Sequence, residues 1–192
     1  MHIDQTISAA IESAARLEWM PASNGQAYIR AGAYGIFGSF DGEQPTYSVV
    51  HASDGTHVDG DPSACTFTTP EKAITAAEQL QAVLSSLADS VRDAISRWTG
   101  CDWTHENGRD DNGAPVYCSG HHPETCEYCA RVASSVEAAH AAGWQAVAKL
   151  QAGDVAAALE LVEEAASEEA EWGHAPTWRP VVDEVDGSGL VR

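Results

Sequence analysis

Twelve residues, CSGHHPETCEYC at positions 118–129, constrain the fold of this chain more than any other stretch. They hold three of the five cysteines and two of the eight histidines in the sequence. Clustered cysteines in a reducing compartment bind metal or carry redox chemistry more often than they form disulfides. The cluster therefore predicts a metal site. A metal ion can fix the ends of a segment that has no hydrophobic core of its own.

Zinc takes four cysteine or histidine ligands in a tetrahedron, and proteins usually offer these ligands as two close pairs. The pair Cys126-x-x-Cys129 is one of them, and we expect it where a helix begins, since the helix dipole favours thiolates there. We predict a site of four cysteines: Cys101, Cys118, Cys126 and Cys129. Either His105 or His121 is the alternative to one of these cysteines. We expect the next residue, His122, to face solvent.

The spacing favours a structural zinc ion over a catalytic one. Zinc nucleobase deaminases place an acid two residues after a ligand histidine and follow it with Pro-Cys-x-x-Cys. Here Glu106 directly follows His105, and two residues separate Pro123 from Cys126. The His-Glu-x-x-His pattern of zinc proteases is not in the sequence. A redox Cys-x-x-Cys pair would need a thioredoxin-like βαβ context, which the turn-rich flanks do not supply.

The remaining sequence predicts an α+β fold. An amphipathic helix is expected at 4–19, and short alternating runs separated by Gly and Asp turns predict an antiparallel sheet of three or four strands at 26–31, 34–40, 45–51 and 64–68. A long helix with one apolar stripe follows at 68–98 and is predicted to cover the sheet. The stretch 101–129 is predicted as a zinc-braced loop, and the rest as an αα-hairpin and a tail. We predict two modules, 1–100 and 101–192, packed as one unit.

A formal charge of −19 at pH 7 narrows the functions and partners that the chain can have. The acidic residues are spread along the sequence and the basic ones do not cluster, so we expect binding neither to nucleic acid nor to an anionic membrane. The first thirteen residues carry neither a basic leader nor an apolar run, so we expect no signal peptide and a cytoplasmic protein. The alanine-rich helices are typical of a bacterial or phage sequence from a GC-rich genome.

Three functions fit these observations. The favoured one is a non-enzymatic interaction or adaptor protein that contacts a protein partner, preferentially a basic one, and whose zinc is architectural. The first alternative is an acidic mimic of nucleic acid that inhibits a DNA-binding protein. The second is a metal-dependent hydrolase or nuclease that uses His105, Glu106 and nearby histidines.

Overall fold

The computed structural model describes residues 19–21, 27–39, 46–58, 66–99, 104–119, 122–172 and 176–190. These residues form four α-helices and two antiparallel sheets. The predicted α+β class is therefore confirmed. Among the described helices, none combines the length and the apolarity that a membrane span requires.

The first sheet is a meander in which strands that follow one another in sequence also lie side by side. Its strands, in spatial order, are β1 (Trp19–Pro21), β2 (Ala27–Ala31), β3 (Tyr34–Ser39), β4 (Thr46–His51) and β5 (Thr66–Phe67). The register sets Ile36 opposite Val49, and each of these residues is only 1% exposed. Because directly opposed residues share one face of an antiparallel pair, this face is the apolar side of the two central strands.

The predicted N-terminal helix at 4–19 lies outside the described residues except at its last position. There the prediction is wrong, because Trp19 begins β1 and pairs with Ile29 of β2. Pairing with a neighbouring strand, which sequence periodicity does not report, decides the conformation of this residue.

The long helix α1 (Pro70–Arg97) has 28 residues and begins where its sequence favours a start. Proline suits the first helical turn because its missing N–H would have no partner there, and Glu71 suits the positive end of the helix dipole. The apolar stripe is buried as predicted at Leu84, Leu87 and Val91. On an earlier turn, the Gln81 side chain accepts a hydrogen bond of 2.9 Å from the backbone N–H of Ala33, between β2 and β3.

The C-terminal half of the chain contains a helical pair and a further short helix. The helices are α2 (Glu127–Ala152), α3 (Val155–Ala170) and α4 (Arg179–Gly187). Gly153 connects α2 and α3 at φ +81°, a conformation that favours glycine, and the Asp154 side chain caps α3 by accepting from the N–H of Ala157. The sequence predicts the hairpin of α2 and α3 but does not predict α4.

The spacing of Val155, Leu159, Val162 and Ala166 predicts the apolar stripe of α3, and the structure buries Val155 and Val162 as predicted. The fully buried residues include Ala158 and Ala165, whereas the predicted stripe members Leu159 and Ala166 are only half-buried. The two buried alanines share this contact face with the two valines, because alanine lets neighbouring helices pack closely.

The backbone of α2 at Gly143 packs closely against two side chains, Trp178 and Ile95. Trp178, just before α4, is fully buried. A Cβ atom added at Gly143 of α2 would lie 2.6 Å from Cη2 of Trp178 and 2.9 Å from Cγ1 of Ile95 in α1. The missing side chain of Gly143 therefore makes room for the indole ring.

The chain divides into two compact units. One consists of residues 1–85 with 151–153, and the other of 86–150 with 154–192. The first contains the meander and the beginning of α1; the second contains the end of α1, the helical elements after it and the cysteine cluster. The predicted module boundary at residue 100 concerns independent folding and stays a prediction.

Candidate metal centre

The first element of the centre is a β-hairpin in the stretch that the sequence predicts as a loop. Its strands are β6 (Thr104–Arg109) and β7 (Pro115–Ser119). The Asp110 side chain closes the turn by accepting hydrogen bonds from the N–H groups of Asn112 (2.9 Å) and Ala114 (2.8 Å). The turn DDNG between two short runs is the sequence signal that predicts such a hairpin. The hairpin places Cys118 near the end of β7.

The second element is the start of α2, which holds the other two cysteines. The carbonyl of His122 accepts hydrogen bonds from the N–H groups of Thr125 (3.2 Å) and Cys126 (3.0 Å), which forms a tight turn. Cys126 directly precedes the helix, and its carbonyl accepts a bond of 2.9 Å from Ala130. Cys129 follows within the first turn. The Cys-x-x-Cys pair therefore lies at the N-terminus of a helix, as predicted.

A further hydrogen bond joins the two elements next to the cysteines. Nδ2 of Asn107 in β6 donates to the carbonyl of Thr125 at 3.3 Å. This contact holds the hairpin against the turn that precedes α2. It is exposed, however, and one exposed hydrogen bond stabilises such a contact by only about 1 kcal/mol.

Three sulfur atoms converge where these elements meet. The Sγ atoms of Cys118, Cys126 and Cys129 all lie within 4.8 Å of one another, the single group of three or more such ligand atoms among the described residues. The sulfurs of Cys118 and Cys129 are 3.6 Å apart. All three residues are buried, with exposures of 7%, 1% and 0% in sequence order.

These distances suit a metal ion better than a disulfide. The three cysteines are reduced thiols, and a disulfide would need two sulfurs about 2.05 Å apart. With zinc–sulfur bonds of about 2.3 Å, two ligands of a tetrahedral ion lie about 3.8 Å apart. The separation of 3.6 Å between Cys118 and Cys129 is close to that value. Three buried thiols within reach of one another could therefore bind a thiophilic metal.

A bound cation would change the protonation state of the cysteine thiols in the cluster. Burial raises the pKa of the Cys118 thiol to about 12, and hydrogen bonds with Cys129 and Cys126 and the charges of those two groups act in the same direction. Because burial penalises the charged form, the sulfur retains its proton at neutral pH unless a cation compensates the negative charge. A metal ion that bound at this cluster would therefore displace protons, as it does wherever thiolates are the ligands.

The sequence predicts three further candidate ligands, Cys101, His105 and His121. Cys101 and His121 lie outside the described residues. The backbone of His105 is described and is the register partner of Cys118 in the hairpin. The complete set of four ligands stays a prediction, and so does the identity of the metal.

Glu106, the acid of the hydrolase alternative, does not belong to the cysteine cluster. Glu106 is exposed and lies 3.7 Å from Nε of Arg109 in a surface ion pair. His122 is exposed as well, as predicted. Neither residue belongs to the group of converging ligand atoms.

An aromatic contact joins the start of α2 to the end of α3. Trp172, just after α3, meets the Tyr128 ring edge-on at a centroid distance of 5.3 Å, and the Arg131 guanidinium lies 5.7 Å from the Trp172 centroid. Tyr128 is the residue immediately before Cys129. The helix turn that carries the cysteines is therefore also packed from its other side.

The buried carboxylate of Glu169 continues this set of contacts to α4. Its oxygens accept hydrogen bonds from the N–H groups of Thr177 (2.8 Å) and Trp178 (2.9 Å), and the residue is only 3% exposed. An acidic group favours the positive end of a helix dipole, so Glu169 of α3 caps the start of α4. Sequence reasoning missed this role because the cap comes from a different helix.

No family model, curated protein or solved structure matches this chain in the comparisons made with each of them. The residues of the centre are therefore interpreted from their own geometry and chemistry.

Proposed function

We propose that this chain binds one zinc ion through Cys118, Cys126 and Cys129 with a fourth ligand, and that the ion is structural. The observation that carries the proposal is the convergence of three buried sulfurs from two separate elements, a hairpin and a helix start. Thiolate ligands select zinc, monovalent copper or iron–sulfur clusters, and zinc is the common structural choice for a single ion.

The structural role follows from the poor apolar content of the hairpin. Val116 and Tyr117 of β7 are 42% and 60% exposed, and the described side chains of β6 are polar or glycine. Among the hairpin side chains that the structure describes, only Cys118 is buried, so burial of these side chains contributes little to holding the hairpin. Structural zinc sites in small domains contribute about 10–16 kcal/mol of binding energy, whereas a whole domain is stable by only about 5–15 kcal/mol. One ion is enough to decide whether this region folds.

The fourth ligand is proposed among Cys101, His105 and His121. The backbone of His105 is the register partner of Cys118 in the hairpin. Single substitutions of the three residues, each assayed for zinc content and for the ligand atoms around the ion, identify the one in use. A closed set of four protein ligands leaves no position for a water nucleophile, which favours the structural over the catalytic role.

We further propose that the zinc-braced protein works without catalysis, by contacting a protein partner. The charge of −19 makes a basic partner the preferred one. We likewise propose that α1 covers the meander, that the protein is cytoplasmic and that it is of bacterial or phage origin.

The test of the zinc proposal compares two cysteine-to-serine variants. Cys126→Ser removes one converging sulfur, and we expect it to lose bound zinc and to melt at a clearly lower temperature. Cys65→Ser removes a thiol far away in the sequence and should retain one zinc ion per chain. Full zinc content in purified Cys126→Ser, or equal loss in both variants, would overturn the proposal.

A further inference from the structure

We infer that the cleft between α3 and α4 is a docking site for a protein segment that carries both apolar and basic side chains. This inference rests on the proposed role as an interaction protein and adds the surface and the chemistry of the partner. The cleft has a volume of about 650 Å³. All of its lining residues belong to the second compact unit.

The floor of the cleft is apolar. Ala166, Ala170, Pro176 and Val182 line it. Ala170 and Pro176 are exposed, so part of this apolar surface is in contact with water. Small side chains leave room for larger ones, and contact with leucine-like side chains would bury this surface favourably.

The helices that form the cleft are strongly acidic. α3 contains five glutamates in 16 residues and no lysine or arginine. α4 contains three acidic residues and one arginine, Arg179, whose Nη2 is already 3.0 Å from Oδ1 of Asp183. The charged residues that line the cleft itself are Glu163, the buried Glu169 and Arg179. Because Arg179 is paired with Asp183 and Glu169 accepts from backbone N–H groups, Glu163 is the carboxylate that a cationic side chain can meet in the cleft. The negative potential over this face selects a cationic partner, and the apolar floor distinguishes such a partner from a simple cation.

An amphipathic helix is the form of partner that uses both features. It can lay leucines spaced at three and four residues into an apolar groove while its lysines or arginines meet acids at the rim. A partner held by carboxylates alone would not need the floor. The inference therefore differs from the nucleic-acid-mimic alternative in the residues that it requires.

The test uses fluorescence anisotropy with the full chain, purified without chelator, and a labelled 14-residue peptide of leucines and lysines in a helical amphipathic pattern. Three probes serve as controls: the same peptide with glutamate for lysine, the same peptide with serine for leucine, and spermine as a competitor. We expect the leucine–lysine peptide to bind and the serine–lysine peptide to bind at least about tenfold more weakly. The leucine–glutamate peptide should not bind, and spermine should not compete at matched charge.

Matched variants locate the site. Glu163→Gln, in the cleft, should weaken binding about two- to fivefold, the range expected for one exposed ion pair. Glu164→Gln removes the same charge one residue further along α3, outside the cleft lining, and should leave the affinity nearly unchanged. Ala170→Trp fills the cleft at an exposed position and should abolish binding, whereas Ala138→Trp on an exposed site of α2 should not.

Several results would overturn the inference. Equal effects of Glu163→Gln and Glu164→Gln would show that only the diffuse negative field attracts the peptide. If the serine–lysine peptide or spermine binds as tightly as the leucine–lysine peptide, the apolar floor does not contribute to binding. If the leucine–lysine peptide does not bind at all, the cleft is not a docking site for such a segment. Zinc content is measured on the same samples: zinc without peptide binding contradicts only the docking site, and cleft-dependent binding without zinc contradicts only the metal proposal.

Discussion

Replacement of Gly143 by alanine sets two physical effects against each other. Alanine favours a helix over glycine by about 1 kcal/mol, so helix propensity alone predicts a more stable protein. The structure predicts the opposite, because the new methyl group would lie 2.6 Å from Cη2 of Trp178 and 2.9 Å from Cγ1 of Ile95. Trp178 is fully buried and Ile95 is 8% exposed, so neither side chain can move aside into solvent.

The magnitude follows from the balance of these terms. Overpacking of a filled core costs about 1–3 kcal/mol, and the helix term returns about 1 kcal/mol. Gly143→Ala should therefore lower the free energy of unfolding by about 1 kcal/mol. Gly187→Ala is the matched control, since a Cβ at that helical position meets no atom within 4 Å. The control should be neutral or slightly stabilising.

The assay is urea unfolding followed by far-ultraviolet circular dichroism, with zinc in equal excess for wild type and both variants. Gly187 is the last residue of α4, so its replacement changes helix propensity little. The difference between the two variants is therefore the packing cost at Gly143 less the helix term there. We expect Gly143→Ala to be less stable than Gly187→Ala by about 1–2 kcal/mol. If Gly143→Ala is as stable as its control, the close packing of Trp178 against α2 is wrong.

Three further predictions test separate parts of the fold. Glu169→Gln removes a charged acceptor from the start of α4 and should lower the free energy of unfolding by about 1–3 kcal/mol. Glu164 is exposed, so Glu164→Gln should change this free energy by less than about 0.5 kcal/mol. Equal effects of the two substitutions would exclude the cap. Addition of a chelator should speed amide exchange at 122–130 and leave 70–85 unchanged in hydrogen-exchange mass spectrometry, and uniform or absent acceleration would contradict a local metal brace. Burial raises the pKa of Tyr34 from 10.0 to about 12. Between these pH values the unfolded chain has lost the phenol proton and the folded chain retains it, so the free energy of unfolding falls as pH rises above 10. The variant Tyr34→Phe should show a smaller fall in the urea midpoint over this range, and an unchanged fall would contradict the burial of the phenol.

Local patterns in the sequence predict those parts of the fold that local forces determine. The stripe from Leu84 to Val91 is buried because its spacing matches the helical repeat and the whole stripe faces one way. The Cys126-x-x-Cys129 pair is at a helix start because a tight turn precedes an alanine-rich run. Both inferences need only neighbours within a few residues.

Parts of the fold that depend on distant contacts are not visible in the sequence in the same way. The strand β6 is polar, and β7 has Val116, Tyr117 and Cys118 in succession. Neither strand shows the alternation of apolar and polar residues that marks a strand, so only the DDNG turn between them signals their pairing. The helix α4 begins under a cap that Glu169 supplies from α3, across the connection between the two helices. The convergence of Cys118 with the helix-start pair likewise depends on how the hairpin meets α2.

X-ray absorption at the zinc edge, combined with elemental analysis of the untagged protein, tests the central claim most directly. The account predicts one zinc ion per chain, with at least three sulfur neighbours at about 2.3 Å and a fourth sulfur or nitrogen neighbour. Zinc well below one per chain after purification without chelator, or fewer than three sulfur neighbours around the ion, would contradict it.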